Sequence, residues 1–267
     1  MGSTYRDMHM VGRRGPNGVL AALLGLGLIC GATAAQAVSV AATARLDWSQ
    51  FQVDFLTAAG TLLEDGSDVY AAMYGTGGFF LGSDDDYGSD WVTPLDAIVS
   101  FDDGTSQATV SAESDGTQVR AHLTFTSPLP GEVFDQGYSY GYAEHYGVIE
   151  VTTGGTLLIS VPYTVAAETD NANVAAYAWV SLNASRESAL GVYANSNSYA
   201  QAYAELGYAP TPSDAGTLAL ALVVSAGDTV YFNAQSEVDA YAYALVPLPP
   251  ALGLLGGGLL VLRRRRC

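Results

Sequence analysis

From Thr117 to Thr126, Val119, Ala121, Leu123 and Phe125 alternate with Gln118, Arg120, His122 and Thr124. A period of two places the apolar residues on one face of a strand and the polar ones on the other, so this segment reads as a half-buried strand. Similar alternation, or short apolar runs, predicts strands over residues 46–55, 69–74, 91–101, 107–113, 138–146, 148–152 and 156–165. The later ones span 174–183, 199–206, 217–224, 229–234 and 238–245. Turn chemistry separates them at Asp65-Gly66, Asp103-Gly104, Asp115-Gly116 and Gly227-Asp228, and Thr153-Gly154-Gly155-Thr156 reads as a hairpin. No long segment between the two chain ends has a helical period. Short punctuated strands predict an all-β fold, a single β-sandwich or jelly roll.

Tyrosine adds a texture to that pattern. Tyr138, Tyr140 and Tyr142, then Tyr199 and Tyr203, then Tyr241 and Tyr243 recur at even spacing with small residues between, and Tyr177 and Trp179 repeat the motif. Residues two apart share a face, so each strand carries rings on one side and alanine, serine or glycine on the other. Small residues inside would let two sheets approach closely, with wet tyrosine hydroxyls outside. The opposite polarity, rings filling the core, fits the same pattern.

The two ends are apolar in a different way. Arg6, Arg13 and Arg14 precede an apolar run over 19–29, and Ala35-Gln36-Ala37 forms a small-x-small cleavage site. This is the pattern of a secretory signal peptide covering residues 1–37, with Val38 as the mature N-terminus. Ile29 before Cys30 is too large for a lipobox, and Gly15-Pro16-Asn17 after Arg13-Arg14 does not suit twin-arginine export. General secretion through the Sec translocon is the expectation.

At the other end, Val246-Pro247-Leu248-Pro249-Pro250 is followed by twelve apolar residues, then Arg263, Arg264, Arg265, Arg266 and Cys267. A permanent transmembrane helix needs about twenty residues, so a twelve-residue run suits brief entry into a membrane, with the arginines held on the cytoplasmic side. Residues 246–267 resemble the VPLPA variant of the PEP-CTERM sorting signal, on Val246, Pro247, Leu248 and Pro249 and the basic stop. Pro250 stands where that pattern usually has alanine. The resemblance is confined to the tail. It implies processing by an exosortase in a Gram-negative bacterium, delivery to the cell surface or extracellular matrix, and association with exopolysaccharide.

Residues 38–245 form one domain, without a dividing linker, and keep three arginines, no lysine and twenty-six acids. Such a surface repels nucleic acid and anionic lipid. Both cysteines lie in the end segments, so thiol and disulfide chemistry are absent from the domain. Asp84, Asp86 and Asp90 occur in a short acid-rich loop with Gly88, and oxygen ligands on a flexible loop suit Ca²⁺. The loop lacks an EF-hand pattern, and a solvated acidic hairpin tip is the favoured reading over a calcium site.

Tyr177, Trp179, Tyr199, Tyr203, Tyr241 and Tyr243 are the candidate sugar-stacking residues, although tyrosine is favoured in strands for packing alone. His122 and His145 are the domain's two histidines, and no nucleophile elbow or zinc-binding His pair accompanies them. The expectation is therefore a non-enzymatic structural or adhesive surface protein that requires no cofactor. A dedicated carbohydrate-binding module is the alternative, and a glycan-active hydrolase a third.

Overall fold

The computed structural model describes residues 38–75, 79–102, 104, 107–127, 138–170, 174–205 and 211–242. The expected signal peptide with Ala35 and Ala37, the tail with Val246–Pro249 and Arg263–Arg266, and Tyr243 lie outside these residues. Among the described residues, no helix is long and apolar enough to cross a membrane.

The described chain is almost entirely strand: β1 Val38–Asp47, β2 Gln52–Phe55, β3 Ala59–Gly75, β4 Phe79–Gly88, β5 Leu95–Asp102, β6 Gln107–Ser114 and β7 Gln118–Ser127. There follow β8 Tyr138–Thr153, β9 Gly155–Thr169, β10 Val174–Glu187, β11 Tyr193–Ala204, β12 Ser213–Val224 and β13 Thr229–Ala242. They form two antiparallel sheets. The first runs β12-β9-β1-β7-β6-β5 with β2 also on β9, and the second β11-β10-β13-β8-β3-β4. The expected β-sandwich is the fold.

Burial settles the open question of polarity. The inner faces carry Ala42, Ala44, Ala112 and Ala121 from the first sheet and Ala71, Ala143, Ala176, Ala178, Ala202 and Ala234 from the second. Valine, leucine and isoleucine at neighbouring inward positions fill the remaining volume, Val40, Val110, Leu123, Ile149, Ile159 and Leu182 among them. Burying this apolar surface is the main favourable term in folding. Two hydroxyls tie the layers across the core. Ser236 on β13 donates to the Val119 carbonyl on β7 at 2.8 Å, and Ser114 on β6 lies 2.5 Å from His145 Nε2 on β8.

The larger aromatics close one end of this core. Trp48 stacks on Phe51 at 4.0 Å and meets His145 edge-on at 4.4 Å, with Trp91 beside both. One turn of 3-10 helix, Trp48–Gln50, makes this possible by breaking what alternation alone predicts as a single strand over residues 46–55. The Asp47 carboxylate accepts the Ser49 hydroxyl at 2.6 Å and the Gln50 amide, steadying the turn. These bonds lower its pKa.

Three further expectations are corrected. The residues around Gly154 and Gly155 are not a hairpin, because β8 and β9 belong to different sheets and the chain turns a corner of the sandwich. A Cβ on Gly155 would lie 2.4 Å from the Thr57 carbonyl carbon, so glycine answers to close backbone approach there. The anticipated break between residues 146 and 148 is absent, and β8 runs through it; a Cβ on Gly147 would lie 2.7 Å from the Phe232 ring. Asp65-Gly66 likewise lies inside β3, where register shifts against β8 between Leu62 and Glu64.

Gly155→Ala should lower stability by about 1–3 kcal/mol, the usual cost of forcing atoms into a packed site. The urea midpoint of the variant, with its slope unchanged, is the measurement.

Candidate ligand-binding face

The outer face of the β11-β10-β13-β8-β3-β4 sheet collects rings, carboxylates and amides. Parity explains it. Once Ala143 on β8, Ala176 and Ala178 on β10 and Ala234 on β13 point inward, Tyr138, Tyr140, Tyr142, Tyr177 and Tyr241 point outward.

Register then sets the neighbours. Tyr241 on β13 lies opposite Tyr138 on β8, which lies opposite Tyr74 on β3. The next row reads Tyr203, Tyr177, Asp239 and Tyr140 across β11, β10, β13 and β8. Below it come Gln201, Trp179, Glu237, Tyr142 and Tyr70, reaching β3. The rings touch: Tyr138 lies 4.9 Å from Tyr241 and 5.8 Å from Tyr74, and Tyr70 stacks on Tyr142 at 5.8 Å. Of the six expected sugar-stacking residues, Tyr177, Trp179, Tyr199, Tyr203 and Tyr241 share this face. Tyr199 at 69 % exposure is the most open of these five, while Trp179 and Tyr177 are half-buried.

Sequence reasoning missed the centre of the face, Glu237 and Asp239. Both are more than nine-tenths buried, at 7 % and 4 % exposure, although they sit on the outward side of β13. The surrounding side chains bury them. Tyr138 donates to Asp239 at 3.2 Å and Gln235 donates to Glu237 at 3.0 Å, while Tyr140 and Trp179 also hydrogen-bond Glu237. Every one of these donors is neutral. Burial, reinforced by the charge of Asp239, raises Glu237 to a pKa of about 7; burial raises Asp239 to about 6. Burial, then the neighbouring carboxylates, pushes the Tyr138 and Tyr140 hydroxyls well above their ordinary range. A legible signal existed, since Glu237, Asp239 and Tyr241 share parity on one strand.

The face continues toward its other end as amide. Asn183, Ser185, Asn195, Asn197, Tyr231 and Asn233 line a shallow depression of about 510 Å³. Between the two regions Asn233 donates to Glu144 at 3.1 Å, and Tyr142 donates to Asp68 at 3.0 Å. Burial raises Glu144, with Asp68 adding to the shift. Aromatic planes beside fixed amide and carboxylate groups can stack a sugar ring and hydrogen-bond its hydroxyls.

The acid-rich segment behaves differently. It is strand rather than loop as far as Gly88, so Asp84 and Asp86 project to one side of β4 and Asp85 to the other. Asp84 accepts the Ile98 amide at 3.0 Å, and Asp86 accepts the Tyr87 amide at 2.9 Å. Asp90 accepts the amides of Val92 and Thr93, at 2.9 and 2.6 Å, within a turn that holds its pKa down. Among the described residues, no three His, Cys, Asp or Glu side chains gather as metal ligands.

The histidines separate as well. His122 lies on the outer face of the other sheet, bonded through Nδ1 to Thr43 at 2.8 Å. Burial, then Arg120, lowers its pKa. His145 is fully buried between Trp48 and Trp91, which drops its pKa to about 3 and keeps it neutral.

These shifts make opposite contributions to stability. Between about pH 4 and 7 the native state holds protons on Glu237 and Asp239 that the unfolded chain releases, so their contribution falls as pH rises from the unfolded values toward the folded ones. The unfolded chain protonates His145 below about pH 6.5 while the native state resists until about pH 3, so that contribution falls as pH drops. The double variant Glu237→Gln/Asp239→Asn should therefore gain stability relative to the parent as pH rises from about 4.5 to about 7.5. Urea midpoints at those two pH values check it, and a constant difference would contradict the shifts.

No family model, curated protein or solved structure matches the chain, which leaves this face and the chain's two ends as the guides to its role.

Proposed function

We propose that this is an exported, non-enzymatic surface or matrix protein that adheres to exopolysaccharide through the outer face of its β11-β10-β13-β8-β3-β4 sheet. The observation that carries the reading is the continuous run of rings over β11, β10, β13, β8 and β3, with amides and carboxylates set among them. Sugar rings present C–H groups on their faces and hydroxyls on their edges, and this surface offers partners to both. A sheet face of this width suits weak contacts repeated along a polymer, which add through effective concentration.

Export supplies the setting. The N-terminal pattern ending at Ala35 and Ala37 suits the Sec translocon, and the PEP-CTERM-like tail suits exosortase processing. A domain with three arginines, no lysine and twenty-six acids is well kept in solution at a cell surface.

Trp179→Ala should weaken association of the full-length protein with host exopolysaccharide by about tenfold or more, since a stacking ring is replaced by a methyl group and Glu237 loses a donor. Co-sedimentation measures it; equal retention of variant and parent would remove the platform from the account. Deleting residues 251–267, or replacing Arg263–Arg266 by neutral residues, should change the protein's destination in cell fractionation. Unchanged surface delivery would refute the sorting signal.

A further inference from the structure

We infer that the glycan taken by this face is an amino-sugar polymer, bound with its protonated amines over the rings around Glu237 and Asp239. The inference rests on the reading of the face as a glycan platform and names the sugar class.

Two independent features lead to it. The first is the charge of the face. Asp68, Asp85, Glu144, Glu237 and Asp239 occupy outward positions, and among the described residues no arginine or histidine joins them. The domain's three arginines are committed elsewhere: Arg45 and Arg120 lie opposite each other on the other sheet, and Arg186 binds the Val223 carbonyl at 2.7 Å beside Asp228 at 3.7 Å. An anionic glycan meets only repulsion here.

The second feature is the setting of the central pair. Glu237 and Asp239 are 7 % and 4 % exposed, and among the described residues their hydrogen-bond partners are neutral donors. A buried carboxylate without a cation is costly, and its charge is incompletely compensated by phenol, indole and amide. Tyr138, Tyr140, Tyr142, Tyr177, Trp179 and Tyr241 surround the pair, and the ring faces of such side chains attract cations. An ammonium group gains from both the rings and the carboxylates, whereas a neutral sugar gains only the stacking and hydroxyl contacts.

The raised carboxyl pKa values agree with this geometry. A bound ammonium would favour the ionised form of both acids and so release protons. Tyr70, Tyr74, Asp68 and Glu144 face the region from β3 and β8, Asp85 from β4, and Tyr199, Tyr203 and Glu205 from the β11 side.

The test is calorimetric titration of the full-length protein at about pH 6, where amines are charged, with three probes: a glucosamine hexamer, its fully N-acetylated counterpart, and spermine. The glucosamine hexamer should bind about tenfold or more tighter than either of the others, and raising salt should weaken it more than the N-acetylated hexamer. Glu237→Gln and Asp239→Asn should each erase the preference for the free amine over the N-acetylated hexamer. Equal binding of the two hexamers would overturn the amino-sugar assignment and leave the platform standing. Equal binding of spermine and the glucosamine hexamer would reduce the effect to charge attraction and also overturn it. Failure of both hexamers to bind would overturn the platform itself. The ranking of the three probes on the unaltered protein, and its salt dependence, decide between these outcomes even if a variant fails to fold.

Discussion

The structure depends on how closely two sheets can approach when alanine dominates the positions between them. Ala42, Ala44, Ala121, Ala143, Ala176 and Ala178 are fully buried or nearly so, and the branched residues beside them complete the layer. Close packing leaves no room for a tyrosine ring there, because interiors are filled to crystal-like density. The rings must leave by the other face. An inward requirement for small side chains therefore produces an outward display of large ones, and the candidate binding face is the reverse side of the core.

That display has an electrostatic consequence. Rings standing side by side on β8, β10 and β13 shield whatever lies between them, and what lies between them is Glu237 and Asp239. Carboxylates on the solvent side of a sheet ordinarily remain hydrated. Here they are withdrawn from water by their neighbours, and the hydroxyls, indole and amide that replace the water carry no charge. The cost of that desolvation falls where a ligand can relieve it, away from the sheet–sheet core that holds the fold.

The same division separates the domain's two kinds of aromatic. Trp48, Phe51, Trp91 and Phe232 pack with neutral His145 at one end of the core, where a 3-10 turn and Gly147 make space for them. Their role is to close the sandwich. On the outer face, the hydroxyls of Tyr142, Tyr138 and Tyr177 are bonded to Asp68, Asp239 and Glu205, so these rings are oriented from the surface side.

The period-two alternation by itself determined the all-β class, the location of most strands and the pairing of the clustered tyrosines with small neighbours, because side-chain direction along a strand is a local property. It also determined which residues must share a face, including Tyr177 with Trp179 and Tyr199 with Tyr203. Which face was inner was left open, since alternation has no sign. Only the packing of two sheets supplied one, by admitting alanine and refusing tyrosine. Tertiary structure also decided that Gly154-Gly155 turns a corner between sheets, that β8 runs unbroken through Gly147, and that Asp84 and Asp86 belong to a strand. Local turn chemistry looks alike in a hairpin and in a crossover. The burial of Glu237 and Asp239 depended on rings brought from β8 and β10, many residues away in the chain, and no local pattern carries that information.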